Sequence, residues 1–104
     1  MSKFIPKLVR DRIPEIIQSK GKYCLYHTAD EDEYIIELKK KLHEEVTEFT
    51  EDPCIDEAAD VISVFATLVE VVGLDLSDAL LHAMTKEEQN GAFEDRVILD
   101  AVDE

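Results

Sequence analysis

Basic residues are in short supply. Eleven lysines and arginines face 25 aspartates and glutamates, giving a formal net charge of -14 and a pI near 4.4. Phosphate backbones would be repelled, so a nucleic-acid polymer is excluded as a partner on charge, and an anionic membrane surface for the same reason. Long hydrophobic runs are also lacking. The longest uncharged, mainly apolar stretch is residues 61–69, far short of the roughly 20 residues that span a bilayer. Residues 1–7 hold no signal-peptide core. Two cysteines, Cys24 and Cys54, do not make a disulfide framework, and a reducing, cytoplasmic setting is expected. Three glycines and three prolines leave few breaks in the chain, and no repeat or low-complexity segment is present.

What remains is enough for one modest core. The 104 residues are 45% hydrophobic, which excludes a fully disordered chain and fits a single domain over 1–104. Charge is unevenly spread. Residues 1–22 carry six basic groups and two acidic ones, whereas residues 30–60 carry thirteen acidic groups and three basic ones. A basic start and an acidic middle are expected to meet in the fold. The breaks divide the rest into helices. Residues 10–20 read as a short helix ended by Gly21, with Pro14 in its first turn. Asp30 and Glu33 form a capping box that opens a helix to about residue 50. Asp52 then Pro53 is a second start signal, cap followed by first-turn proline, for a helix to Val72 that Gly73 stops. Asp75 or Ser77 caps a third long helix to about Asn90, with Gly91 ending it. Residues 23–28 read as a strand or an extended arm, and 97–99 as a small strand that would pair with it. The expected fold class is all-α, a small helical bundle with short extended segments near 23–28 and 96–100.

The informative anomaly is where the carboxylates fall. In the helix from residue 30 to 50, Ile35, Leu38, Leu42, Val46 and Phe49 define an apolar stripe. Glu45 lies inside that arc, between Tyr34 and Leu38 on the wheel; Glu48 is at its edge, and Glu44 projects to the far side, toward solvent. In the helix from 53 to 72, Glu57 falls between Val64 and Leu68, with Asp60 at the border. A tight turn at 50–53 makes the two helices antiparallel. Glu48 then stands level with Glu57, and Glu45 with Asp60, one turn deeper. Four carboxylates in a partly apolar cleft raise one another's pKa, and a hard dication bound by oxygen ligands resolves the conflict, Mg²⁺ or Mn²⁺ fitting best. No Glu-x-x-His occurs, so a di-iron bundle does not fit. The competing reading is of solvated helix-face acids partnered by Lys39, Lys40 and Lys41.

The run Lys41-Leu42-His43-Glu44-Glu45-Val46-Thr47-Glu48, followed by Glu57-Ala58-Ala59-Asp60-Val61, resembles the signature of the MazG-like nucleotide pyrophosphohydrolases. These belong to the all-α nucleoside triphosphate pyrophosphatase group, together with the phosphoribosyl-ATP pyrophosphohydrolases. The opening Lys7-Leu8-Val9-Arg10-Asp11-Arg12-Ile13-Pro14 is similar to the start of a short single-domain branch of that group. The ending, from Lys86 to Asn90-Gly91-Ala92-Phe93 and then Arg96-Val97-Ile98-Leu99, is similar to its tail, although the branch often has a basic residue at the position of Asn90 and a second glycine at that of Ala92. The resemblance implies Mg²⁺-dependent hydrolysis of a nucleoside triphosphate to the monophosphate and pyrophosphate, by attack of an activated water on the α-phosphorus. Phosphoribosyl-ATP hydrolysis and a non-catalytic nucleotide- and metal-binding module are the alternatives. A metal on Glu45, Glu48, Glu57 and Asp60 suits that chemistry, with Glu45 or Glu48 as the base. Lys7, Arg10 and Arg12 from the basic start, and Lys86, Asn90 and Arg96 from the tail, are the candidate phosphate contacts.

Other residues signal less. His43 and His82 read as surface or capping histidines, Cys54 as incidental, and Tyr23, Tyr26 and Phe93 as packing residues rather than base-stacking ones. The helix from 53 to 72 is apolar over more of its circumference than a small monomer can cover. A homodimer or homotetramer is therefore expected, and the family resemblance points the same way.

Overall fold

A computed structural model of the protein describes residues 6–103. Among them the chain is all-α, with four helices and no strand: α1 (Ile13–Ser19), α2 (Glu31–Glu51), α3 (Ile55–Val71) and α4 (Leu76–Asn90). No strand forms at 97–99, and of the two readings for 23–28 the irregular arm is the one the structure has; both segments lie outside regular structure. None of these helices is long and apolar enough to cross a membrane. The chain divides into two compact units, Met1–Gly73 and Leu74–Glu104.

The first unit is organised by α2 and α3. Asp30 caps α2 as its sequence predicts: its backbone is extended and its Oδ1 accepts from the Glu33 N–H at 2.9 Å. Residues 52–54 turn the chain so tightly that α3 packs back along α2. The pairing is antiparallel, since Glu45 faces Asp60 while Leu38, further back on α2, shares a cavity with Thr67, further on in α3. Leu38 and Val69 are the buried apolar residues of this hairpin. The α2 stripe is buried only in part: Ile35 and Leu42 are half-buried, and Val46 and Phe49 remain exposed near the turn, where the hairpin alone offers no covering layer.

Two starts differ from the sequence reading. Helix α1 begins at Ile13, not at residue 10, because the Pro14 ring would meet the Arg10 carbonyl in any longer helix. The chain instead makes a turn in which the Ile13 N–H donates to the Arg10 carbonyl at 3.0 Å. Asp52 does not cap α3. It ends α2, its N–H donating to the Glu48 carbonyl, and Cys54 takes the cap position of α3 without a side-chain hydrogen bond. The arm after α1 is held by weak sulfur contacts between Cys24 and both Pro14 and Gln18. At its far end His27 lies 2.9 Å from Glu33 in the first turn of α2.

The second unit is α4 and its tail. Asp75, rather than Ser77, is the cap, its side chain accepting from the Asp78 N–H at 3.1 Å. Gly91 ends the helix at φ +86°, a conformation that costs an L-residue with a side chain about 1 kcal/mol or more.

The caps make a paired prediction. Asp30→Ala should cost about 1 kcal/mol, whereas Asp52→Ala should stay within about 0.5 kcal/mol of the parent. Urea unfolding followed by circular dichroism separates them, and equal losses would return Asp52 to the capping role.

Candidate metal centre

Helix periodicity places Glu45 on the inner side of α2, and the structure buries it: its exposure is 5%. Its Oε1 is 3.3 Å from the Lys41 Nζ one turn back, and its Oε2 has no partner. The Glu57 Oε2, across the hairpin on α3, is likewise buried and unpartnered. A buried acceptor without a donor costs on the order of 1–3 kcal/mol, more when charged, and the hairpin carries two of them.

Each carboxylate of Glu45, Glu57 and Asp60 brings an oxygen within 4.8 Å of the others, and a second group of Glu44, Glu45 and Glu48 meets the same limit. The expected quartet is thus gathered as two groups that share Glu45, with Glu48 at the exposed edge. Glu44 departs from expectation. It is half-buried and belongs with Glu45 and Glu48 rather than with solvent. The signal for this is in the sequence, because Glu44 and Glu48 are four residues apart and share a helix face. Lys41 was also legible that way. It sits three and four residues before Glu44 and Glu45, reaches both at 3.5 and 3.3 Å, and is only 17% exposed along its side chain. These groups contain no histidine, and an all-oxygen set suits a hard dication such as Mg²⁺ or Mn²⁺.

Burial is the main cause that pushes the Glu45 carboxyl above its ordinary 4.5; Lys41 opposes the rise, and neighbouring Glu48 adds to it.

Above the carboxylates lies a cavity of about 510 Å³, entirely within the first unit. Lys7, Arg10 and Asp11 form one wall, Tyr34, Leu38, Lys41 and Glu45 a second, and Asp60, Ser63, Val64 and Thr67 a third. The Arg10 Nη2 contacts the Asp60 Oδ1 at 2.7 Å. The basic start and the acidic middle therefore meet here. Arg12 does not reach the cavity and pairs with Glu15 at 3.0 Å. Lys86 and Asn90 stand on α4 and Arg96 in the tail beyond it, all in the second unit.

No protein-family model matches the chain, and no solved structure does. It is 50% identical over 42 residues to an uncharacterized protein of Mycolicibacterium smegmatis (strain ATCC 700084 / mc(2)155). That match takes in 40% of this chain and 43% of the other, so less than half of that protein is represented.

The raised Glu45 pKa fixes the sign of a pH effect. The folded state holds this proton more tightly than the unfolded one. Without metal, its contribution to stability is therefore unpenalised below 4.5 and is lost as pH rises through the folded value. A dication favours the ionised form, so its stabilising effect should grow with pH over the same window. Thermal melts in EDTA and in millimolar MgCl₂ test this. Glu45→Gln should melt no lower than wild type in EDTA at neutral pH and should lose the Mg²⁺ shift; a full Mg²⁺ shift in that variant would remove Glu45 from the site.

Proposed function

We propose that the protein is a Mg²⁺-dependent nucleotide pyrophosphohydrolase of the MazG-like kind, cleaving a nucleoside triphosphate to the monophosphate and pyrophosphate. The observation that carries this reading is the buried Glu45 carboxylate, half unpartnered, among Glu44, Glu48, Glu57 and Asp60. Such an arrangement is costly to fold and becomes favourable once a cation enters. The resemblance of the Glu45-x-x-Glu48 and Glu57-x-x-Asp60 pair, with the Lys7–Pro14 opening, supplies the choice of reaction.

Glu45, Glu57 and Asp60 would hold the metal, with Glu48 at the edge. A bound Mg²⁺ or Mn²⁺ contributes charge neutralisation at phosphate oxygens and a more acidic water. Of the two candidate bases, Glu48 is exposed and has no cationic partner among the described contacts, whereas Glu45 is buried and already engaged by Lys41. Glu48 is therefore assigned to accept the proton of the attacking water, and Glu45 to remain in place as a ligand. Lys7, Arg10 and Lys41 line the cavity and would meet the phosphate chain. The free thiols of Cys24 and Cys54 suit a reducing cytoplasm.

A homodimer or homotetramer belongs to the same proposal. Ile55, Ile62 and Phe65 of α3 are exposed, and such apolar surface is ordinarily covered by further helices. Light scattering at micromolar protein should give a dimer or larger; a monomer alone would overturn the assembly.

Activity is tested by pyrophosphate release with Mg²⁺ over standard and modified nucleoside triphosphates and phosphoribosyl-ATP. Glu48→Gln and Asp60→Asn should each lose more than about 100-fold, beyond what removal of an outer-shell partner costs, with helicity retained. Cleavage confined to phosphoribosyl-ATP would select the histidine-pathway reaction. Metal-dependent nucleotide binding without pyrophosphate would select a sensor.

A further inference from the structure

The ion pair between Arg10 and Asp60 joins residues 50 apart in sequence. We propose that Arg10 is a tethered counter-cation, which shares Asp60 with the metal, yields that oxygen when the metal enters, and then serves the anionic substrate in the same cavity. The inference rests on the metal-site reading above.

Among the described residues, two cationic side chains pair with these carboxylates, and they differ in kind. Lys41 projects from α2 itself, is 17% exposed, and is held between Glu44 and Glu45 by the helix that carries all three. Its place one turn back on the same helix, and its low exposure, keep the ammonium close to both carboxylates. Arg10 stands in the irregular segment ahead of α1, its side chain is 60% exposed, and it touches Asp60 through one nitrogen. Neither burial nor a bidentate clamp enforces the pair. Yet the oxygen it engages is on a carboxylate that lies within 4.8 Å of Glu45 and Glu57, where unpartnered oxygens are waiting. A dication placed among them would stand beside a guanidinium, and like charges at that range repel. Glu45 and Asp56 also attract Arg10, less strongly than Asp60 does.

The geometry gives the displaced group a destination. Arg10 and Lys7 share the wall of the cavity that Glu45 and Asp60 floor. A guanidinium released from Asp60 remains at that wall, where a phosphate oxygen offers a better bidentate partner. Pro14 contributes by keeping residues 10–12 out of α1, so that Arg10 leaves the chain toward α3 and not along a helix face.

The test is calorimetric titration of the metal-free full chain with Mn²⁺ alone, comparing wild type, Arg10→Gln and Arg12→Gln. Arg12 pairs only with Glu15, so its variant makes the same change in net charge away from the cavity. Arg10→Gln should bind Mn²⁺ about two- to fivefold more tightly than both others, the scale of one exposed ion pair. A second titration, with inorganic tripolyphosphate in excess Mn²⁺, should reverse the order, Arg10→Gln binding more weakly than Arg12→Gln. Mn²⁺ affinity in Arg10→Gln equal to or below that of Arg12→Gln overturns the inference while leaving the metal site intact. Unchanged tripolyphosphate affinity overturns the second role of Arg10. No Mn²⁺ binding by wild type or by Arg10→Gln overturns the metal-site reading and this inference together.

Discussion

A carboxylate that is buried before its charge is answered governs this structure. Glu45 sits on the inner side of α2, among Tyr34, Leu38 and the α3 residues that close over it, with one oxygen on Lys41 and the other on nothing. An apolar residue there would pack against Leu38 at no electrostatic cost. The position instead carries an acid, and Glu57 repeats the choice from the opposite helix. Removing the acid's water raises its pKa, so the fold carries an acid where an apolar side chain would cost less.

The rest of the first unit sets where these acids stand. The three-residue connection at 52–54 brings the end of α2 against the start of α3, so that carboxylates from both helices converge. The same connection leaves Val46 and Phe49 exposed and limits the buried apolar residues of the hairpin to Leu38 and Val69. A core this small contributes modestly to stability. The exposed apolar residues of α3 and the unpartnered oxygens of Glu45 and Glu57 are two separate costs that this hairpin carries.

Much of this was legible from residue types and spacing. Asp30 with Glu33 located the start of α2, Gly73 and Gly91 located the ends of α3 and α4, and the wheel put Glu45 in the apolar arc where the structure buries it. Where the structure departs from the local pattern, a neighbouring element overrides the motif. Asp52-Pro53 has the form of a helix start, but the α2 register already claims Asp52, and Cys54 becomes the cap. Pro14 is acceptable in a first turn only if the helix does not extend back to Arg10. Glu44 was assigned to solvent from its angle to the apolar stripe, although its spacing to Glu48 and Lys41 tied it to the acids. The meeting of Arg10 with Asp60 depends on the path of the chain over 50 residues, and only the uneven charge distribution hinted at it.

All the acids of the centre come from a single helical hairpin, between Glu44 and Asp60. Contacts so near in sequence need little loop closure, so the chain loses little entropy in bringing these side chains together. The repulsion among these side chains therefore arises as soon as α2 and α3 pair, and whatever relieves it favours that pairing.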